Sequence, residues 1–382
     1  MIQIKHEDID RIALEYFNQI KVPCQLRVRF YQRIFAVLGS GNTVDLETFT
    51  FNGNSRMACA NRLLVDKVGS LTQFHKVNVG NLQPWVMPNR QTVIDILDHL
   101  SDEKNLKSII LVSAANALTL DLQLQHDLAI DALPGGNMHG AWKLLDHILD
   151  YDLFNNYAYS VAAELNINTC PYCNRNYINT VIDKTENQII RPTFDHFFPH
   201  SKHPFLAISF YNLVPSCYFC NSSLKTATTI ALNTHLHPYL FGFDDDCFFR
   251  TDISDLYPDL SDRRNFEIKL EMAIDDTNPK YRQVWGNNLD DSEGNCQLFK
   301  LQDIYNSHTD IVGELYVKAI RYGEDNAETL YKVFNLLDTN KEEFYRFYFS
   351  NYFEEKNFNR RPMAKLTKDI LKQVLPDFFT NS

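Results

Sequence analysis

The sequence predicts an α+β fold in which mainly helical regions flank a small central module. Apolar residues make up 45% of the 382 residues and charged residues 22%, proportions that are ordinary for a folded globular protein and exclude disorder as its main state. Apolar side chains recur at helical spacing toward both ends of the chain. Four of the eight cysteines fall into two close pairs near the middle, and these pairs mark the central module.

We expect three consecutive regions, because a chain of this length suggests two or three domains. They are a mainly helical region 1–165, a module 166–250 that holds the cysteine pairs, and a mainly helical region 251–382. No long Ser/Gly linker separates them, so we expect the helical flanks to pack directly against the module.

The apolar pattern places the individual elements. Helices are predicted around residues 9–20, 28–38, 92–100, 304–320, 344–349 and 366–375. Residues 266–270 alternate between apolar and polar side chains, which predicts a short strand.

The charge balance limits the classes of function. A net charge of −11 and a pI of about 5.5 exclude a strongly basic protein that coats nucleic acid, but they leave room for a local basic groove. Residues 166–250 carry six basic and six acidic side chains, against 14 and 18 before them and 17 and 24 after them, so the module is the least acidic region. No apolar run is long enough to cross a bilayer and no signal-peptide pattern is visible, which predicts a soluble cytoplasmic protein.

Two Cys-x-x-Cys pairs predict a structural zinc site. Cys170 and Cys173 form the first pair, and Cys217 and Cys220 form the second after 43 intervening residues. Each pair suits a knuckle turn, and four thiolates complete a tetrahedral Zn²⁺ site with no open position. The alternative is four unrelated cysteines. The remaining cysteines are interpreted as small buried apolar residues: Cys24, Cys59, Cys247 and Cys296.

The first pair also has a redox interpretation, because Cys170-Pro-Tyr-Cys173 is the pattern of glutaredoxin-like active sites. That chemistry requires a strand before the motif and a helix after it. The residues after Cys173 predict a turn and a strand instead, and the second cysteine pair has no role in redox chemistry. The metal interpretation is therefore favoured.

A candidate active site lies between the pairs. Asp195 precedes His196, Asn212 follows sixteen residues after His196, and Asn221 nine residues after Asn212. A histidine can take a proton from water near neutral pH, and carboxylate and amide oxygens suit Mg²⁺ or Mn²⁺. Taken alone, His196 is better interpreted as a core or surface histidine. The catalytic interpretation is favoured because the histidine, both asparagines and both cysteine pairs fall within one window of 52 residues.

The stretch from Cys170 to Lys225 resembles the HNH endonuclease family, also called ββα-metal nucleases, in its zinc-knuckle form. The matching pattern is Cys-x-x-Cys, Asp-His-x-x-Pro and Asn-Leu-x-x-x-Cys-x-x-Cys-Asn, with Lys225 four residues later. The resemblance implies a β-hairpin and a helix held together by zinc, with a catalytic metal between hairpin and helix.

The resemblance also implies roles for single residues. His196 would be the general base, Asp195 a ligand of the catalytic metal, and Asn212 the residue that braces the loop and orients His196. Asn221 stands where the family usually has histidine, and it would be the second metal ligand.

The predicted function is a metal-dependent HNH endonuclease, a hydrolase that cuts phosphodiester bonds and leaves a 3′-hydroxyl and a 5′-phosphate. Its cofactors would be structural Zn²⁺ and catalytic Mg²⁺ or Mn²⁺, with Ni²⁺ as a further option. DNA is favoured over RNA by the resemblance alone. By analogy, such a chain belongs to a prokaryotic restriction or anti-phage defence system, as a homodimer or beside an ATPase partner, and away from the membrane.

Two questions stay open at this point. The Asn221 position also suits a catalytically inactive, zinc-stabilised module that binds nucleic acid or protein. Four basic residues could contact phosphates, but each could equally be an ordinary surface charge in contact with solvent. They are Arg175, Arg191, Lys202 and Lys225. His200 and His203 are interpreted as surface or structural residues.

Overall fold

The structure is a computed structural model that describes residues 1–38, 90–130, 144–146, 148–226, 228–253, 260, 262–286, 293–323, 329, 332 and 340–380. The chain forms two compact units. The first, called the helical unit, comprises Asp8–Glu164 and His196–Leu213; the second, called the cysteine unit, comprises Met1–Glu7, Leu165–Asp195 and Val214–Ser382. This division differs from three consecutive regions, because each unit is assembled from stretches that are separated in the sequence.

The helical unit is built around one long helix. Its helices are α1 (Ile9–Leu38), α2 (Arg90–Ser101), α3 (Glu103–Ile110), α4 (Ala117–Asp127), α5 (Tyr151–Asn155) and α6 (Ala158–Leu165), and the last residue of α6 belongs to the cysteine unit. Two short 3-10 turns, Pro204–Leu206 and Phe210–Asn212, follow in its second stretch.

The prediction of two helices over residues 9–38 is wrong, because the structure has a single helix there. Ile20, Cys24 and Val28 are fully buried and recur every four residues, so one apolar stripe continues through the region between the predicted helices. Pro23 lies within this helix. Burial of the continuous stripe therefore outweighs the backbone hydrogen bond that a proline removes.

The helix predicted at 92–100 is confirmed as α2, and α3 begins directly after it. Asp102 caps α3, since its carboxylate accepts hydrogen bonds from the backbone amides of Lys104 at 2.7 Å and Asn105 at 3.2 Å. A carboxylate at this position satisfies amides that have no partner within the helix. The cap explains why the chain can turn sharply between two helices.

The cysteine unit mixes helices with small sheets. Its strands and those it shares with the helical unit are β1 (Val181–Ile182), β2 (Gln188–Ile190), β3 (Thr193–His196), β4 (Leu213–Ser216), β5 (Cys247–Ile253) and β6 (Phe266–Met272). They form three two-stranded sheets, β1–β2, β3–β4 and β5–β6. The chain leaves the unit within β3 and returns within β4.

The described part of the cysteine unit also contains helices. A π-helix, Phe219–Lys225, follows β4. The later helices are α7 (Pro279–Trp285), α8 (Asn295–Leu298), α9 (Leu301–Asn306), α10 (Thr309–Gly323), α11 (Lys341–Phe349), α12 (Ala364–Val374) and α13 (Pro376–Thr380). The helices predicted at 344–349 and 366–375 are confirmed as α11 and α12. The helix predicted at 304–320 is divided into α9 and α10.

The strand predicted at 266–270 is confirmed as part of β6, which pairs antiparallel with β5 over seven residues. The other edge of β5 is covered by side chains of α12. Asp369 accepts the backbone amide of Phe249 at 2.9 Å, and Gln373 both accepts from the amide of Thr251 at 2.9 Å and donates to its carbonyl at 2.8 Å. Side chains thus take the place of a third strand at an edge that would otherwise be open to pairing.

The described part of the chain contains no helix that is both long enough and apolar enough to cross a bilayer.

Candidate metal centre and catalytic residues

The four paired cysteines form one cluster in the cysteine unit. The Sγ atoms of Cys170, Cys173, Cys217 and Cys220 all lie within 4.8 Å of one another, and all four residues are buried. Four thiolates around a tetrahedral Zn²⁺, at about 2.3 Å per bond, would lie about 3.8 Å apart. The cluster could therefore hold a metal ion such as zinc.

The two knuckles share one backbone design. The carbonyl of Cys170 accepts the amide of Asn174 at 2.7 Å, and the carbonyl of Cys217 accepts the amide of Asn221 at 3.1 Å. Both knuckles have the sequence pattern Cys-x-x-Cys-Asn, and the same backbone hydrogen bond closes each of them. Asn174 has a φ of 48°, a left-handed conformation that asparagine tolerates better than most residues. This repeated turn brings each pair of sulfur atoms to the same side of its loop.

The surroundings of Cys217 favour the thiolate, the form that binds metal. The pKa of Cys217 lies far below its ordinary value because Cys170 first, and then Cys173 and Cys220, act as hydrogen-bond partners of its sulfur. The side-chain amide of Asn176 also donates to this sulfur at 3.3 Å. The convergence of two pairs on one centre favours metal binding over the redox interpretation, which uses only one pair.

His196 lies at the end of β3 and is half-buried in the helical unit. Its Nε2 lies 2.8 Å from the carbonyl oxygen of Ala207. A carbonyl can only accept, so Nε2 carries the hydrogen and Nδ1 is the basic nitrogen of the neutral ring. The rings of Tyr151 and His200 flank the imidazole, with centroids at 4.8 and 4.9 Å.

Asn212 braces the loop that carries this hydrogen bond. Its side chain is buried, and its Oδ1 accepts the amide of Phe198 at 2.8 Å. Its Nδ2 donates to the carbonyls of Phe198 and Leu206, each at 3.0 Å. The amide therefore ties the segment just after His196 to the residue just before Ala207. This fixes both ends of the hydrogen bond that sets the histidine tautomer.

Asp195 lies in a different environment, inside the cysteine unit. It is 2% exposed, and its two carboxylate oxygens accept from the hydroxyl of Tyr172 at 2.7 Å and from the ammonium of Lys225 at 2.9 Å. Tyr172 stands between the cysteines of the first knuckle, and Lys225 ends the π-helix after the second. Burial, followed by the Asp195 charge, raises the pKa of Tyr172 well above its ordinary value. The carboxylate thus joins the two knuckles.

This pairing revises two predicted roles. Lys225 is 1% exposed, so its ammonium neutralises Asp195 inside the unit and does not face solvent, where a phosphate contact would require it. The same ammonium engages one of the two carboxylate oxygens that a divalent cation bound to Asp195 would use. The arrangement therefore does not fit a catalytic Mg²⁺ or Mn²⁺ held by Asp195 unless Lys225 moves away.

Asn221, the other predicted metal ligand, is half-buried at the start of the π-helix. Its backbone closes the second knuckle and accepts the amide of Thr226 at 3.0 Å.

The other predicted basic residues differ in their surroundings. Lys202 is exposed, and Arg175 and Arg191 are half-buried. Arg191 donates to the carbonyl of Pro192 at 2.9 Å, whereas Arg175 lies over the ring of Phe219.

The sequence analysis did not predict two buried interactions, one between His203 and Asp121 and one between Tyr172 and Asp195. His203 is buried, and its Nδ1 lies 2.8 Å from the carboxylate of Asp121. Burial raises the pKa of Asp121 above its ordinary value. Asp121 is 82 residues away in the sequence, and no local pattern could have paired it with His203. The same holds for Tyr172 as a partner of Asp195.

Comparison of the chain with models of known protein families, with curated proteins and with solved structures finds no match.

Proposed function

We propose that this chain is an endonuclease of the HNH type that hydrolyses phosphodiester bonds in DNA, with His196 as its general base. The observation that carries this proposal is the hydrogen bond from Nε2 of His196 to the carbonyl of Ala207 at 2.8 Å. It leaves Nδ1 as the nitrogen that takes a proton. A histidine held in one tautomer by a braced loop presents its other ring nitrogen in a fixed orientation, which general-base catalysis requires.

The reaction needs few steps from the chain itself. Nδ1 of His196 takes a proton from water, and the water oxygen forms a bond to phosphorus. The bond from phosphorus to the 3′-oxygen breaks, and that oxygen takes a proton from solvent, which leaves a 3′-hydroxyl and a 5′-phosphate. Asn212 is a positioning residue here, since it holds the loop on both sides of the histidine hydrogen bond.

Zinc in the four-cysteine cluster would supply rigidity and no reaction step, because four thiolates leave no open coordination position. The dependence on Mg²⁺ or Mn²⁺ is a separate part of the proposal. It rests on the resemblance of the sequence, since Lys225 engages the predicted ligand Asp195.

The test is cleavage of supercoiled plasmid by the zinc-loaded protein, with Mg²⁺, with Mn²⁺ and without added divalent metal. We expect nicking or linearisation that His196→Ala abolishes. His126→Ala, which changes an exposed histidine of the same unit, should cut like the unchanged protein. Equal cutting by the His196→Ala protein would show that a contaminant or another residue is responsible.

The second candidate is a zinc-stabilised module that binds nucleic acid or protein without cutting. The buried pair between Asp195 and Lys225 favours it, because it gives the carboxylate a structural partner in place of a catalytic metal. The same assay separates the two: binding of the plasmid without cutting under every metal condition would support the module.

A further inference from the structure

A group of aromatic side chains lies exposed around the two knuckles. Tyr218 and Phe219 stand between the cysteines of the second knuckle and are 63% and 55% exposed. Tyr177, 61% exposed, follows the first knuckle. It is the neighbour of Asn176, whose amide reaches Cys217. These three rings and Arg175 are called the knuckle surface.

The aromatic rings of the second knuckle are presented by a fixed turn. The knuckle is closed by its backbone hydrogen bond and by the sulfur cluster, so Tyr218 and Phe219 cannot turn inward without breaking it. Their rings meet edge to face, with centroids 6.2 Å apart. Two consecutive large aromatic residues held in solvent by a rigid turn are poorly explained by packing within the unit, and they indicate a binding role.

Arg175 adds a positive charge with an unsatisfied donor to this surface. Its guanidinium carbon lies 5.9 Å from the centroid of the Phe219 ring. Its Nε is buried and has no hydrogen-bond partner in the described part of the chain. The Nε donor is enclosed by the chain, but the charge of a half-buried guanidinium beside an exposed ring attracts an anion such as a phosphate.

We propose that the knuckle surface binds unpaired nucleotides, with bases stacked on Tyr218 and Phe219 and a backbone phosphate on Arg175. Aromatic faces beside a guanidinium are the combination that recognises single strands, since every base has a face that can stack. In a duplex the bases stack on each other and cannot reach the rings. This inference rests on the proposed function, because it specifies the form of nucleic acid that the nuclease would engage.

The test measures affinity by fluorescence polarisation with labelled oligothymidylate and with the same strand annealed to oligoadenylate. All proteins carry His196→Ala, which removes the proposed cleavage, and they are compared at one salt concentration. We expect tighter binding of the single strand. Tyr218→Leu/Phe219→Leu keeps apolar bulk without aromatic faces, and it should weaken single-strand binding at least about tenfold while changing duplex binding much less.

Three matched variants complete the design. Phe241→Ala removes another exposed aromatic residue of the same unit and should leave both affinities unchanged. Tyr218→Trp/Phe219→Trp restores the aromatic faces and should restore single-strand binding. Arg175→Gln should weaken binding of both oligonucleotides and reduce its salt dependence. Bound zinc, measured in every variant, shows that the knuckles remain folded.

Equal single-strand affinity of the leucine variant and the Phe241→Ala control would overturn the proposal. So would failure of the parent protein to bind either oligonucleotide, which would point to a protein partner for these rings. Cleavage assays test the proposed nuclease independently of the binding measurements. If the protein with intact His196 cuts neither the plasmid nor a single strand while ring-dependent binding is retained, the enzyme alone is refuted, whereas metal-dependent and His196-dependent cleavage with no effect of the rings refutes the knuckle surface alone.

Discussion

The pair between Lys225 and Asp195 predicts a large loss of stability in Lys225→Met. The ammonium lies 2.9 Å from the carboxylate, and the two side chains are 1% and 3% exposed. Methionine has a similar length and fills the same space without the charge. The variant therefore leaves the carboxylate of Asp195 without its buried cationic partner.

The magnitude follows from the distance and the burial. Two unit charges 2.9 Å apart attract by about 6 kcal/mol at an effective dielectric constant of about 20. Part of this attraction offsets the desolvation of both charges, and removal of one partner from a buried pair costs about 3–5 kcal/mol in practice. The hydroxyl of Tyr172 still donates to the carboxylate, so we expect a loss near the lower end of that range.

The loss in the free energy of unfolding is measured by urea unfolding. The signal that reports unfolding is the release of zinc to a coloured chelator. Lys202→Met changes an exposed lysine and should lower the free energy of unfolding by no more than about 0.5 kcal/mol. The double variant Asp195→Asn/Lys225→Met should be more stable than Lys225→Met, because it leaves no unpaired charge.

The reasoning would be refuted if Lys225→Met and Lys202→Met unfolded at the same urea concentration. A lysine that contacts phosphate, as the sequence alone suggests for Lys225, would give that result together with weaker DNA binding.

Three further outcomes are expected. Cys217→Ser should lose the bound zinc, about one ion per chain, and unfold the cysteine unit, whereas Cys24→Ser, outside the cluster, should keep its zinc in the same metal analysis. The pKa of Asp183 is held at about 2 by the side chain and then the backbone amide of Asn187. This pKa is below the value in an unfolded chain, so the ionised carboxylate stabilises the β1–β2 turn above about pH 4. That stability is lost as the pH falls through about 2. A carboxyl NMR titration of Asp183 with a midpoint near 4 would contradict this. Gln373→Ala leaves the amide and the carbonyl of one residue of β5 without partners and should cost about 1–3 kcal/mol, with faster hydrogen exchange at that amide; unchanged exchange would show that water or another group replaces the glutamine.

The local elements could be predicted where one pattern dominates. The stripes of α2 and α11 and the alternation of β6 each bury one face, and burial selects the periodicity directly. The prediction failed for α1, because the apolar residues were assigned to two separate helices, whereas one buried stripe runs through the region between them. The two units could not be predicted either, since both are assembled from distant stretches.

The candidate site was likewise predictable in part from the sequence. The spacing within each cysteine pair fixes a knuckle, so the four sulfur atoms could be assigned to one cluster from their spacing alone. The pairing of Asp195 with Lys225 could not be predicted, because a lysine near a motif can be either a phosphate contact or a buried counter-ion. Only the distance of 2.9 Å and the burial of both side chains separate the two.

Contacts between residues close together in the chain fix the cysteine knuckles, the position of His196 beside Asp195 and several of the helices, so the amino-acid sequence was sufficient to predict them. The tertiary structure alone decided that Nε2 of His196 carries the hydrogen, that Asp195 is neutralised by Lys225, and that Tyr218 and Phe219 stay in solvent. Each of these depends on what surrounds a side chain once distant segments meet, and the energy of a charge or a ring is set by that environment more than by its neighbours in sequence.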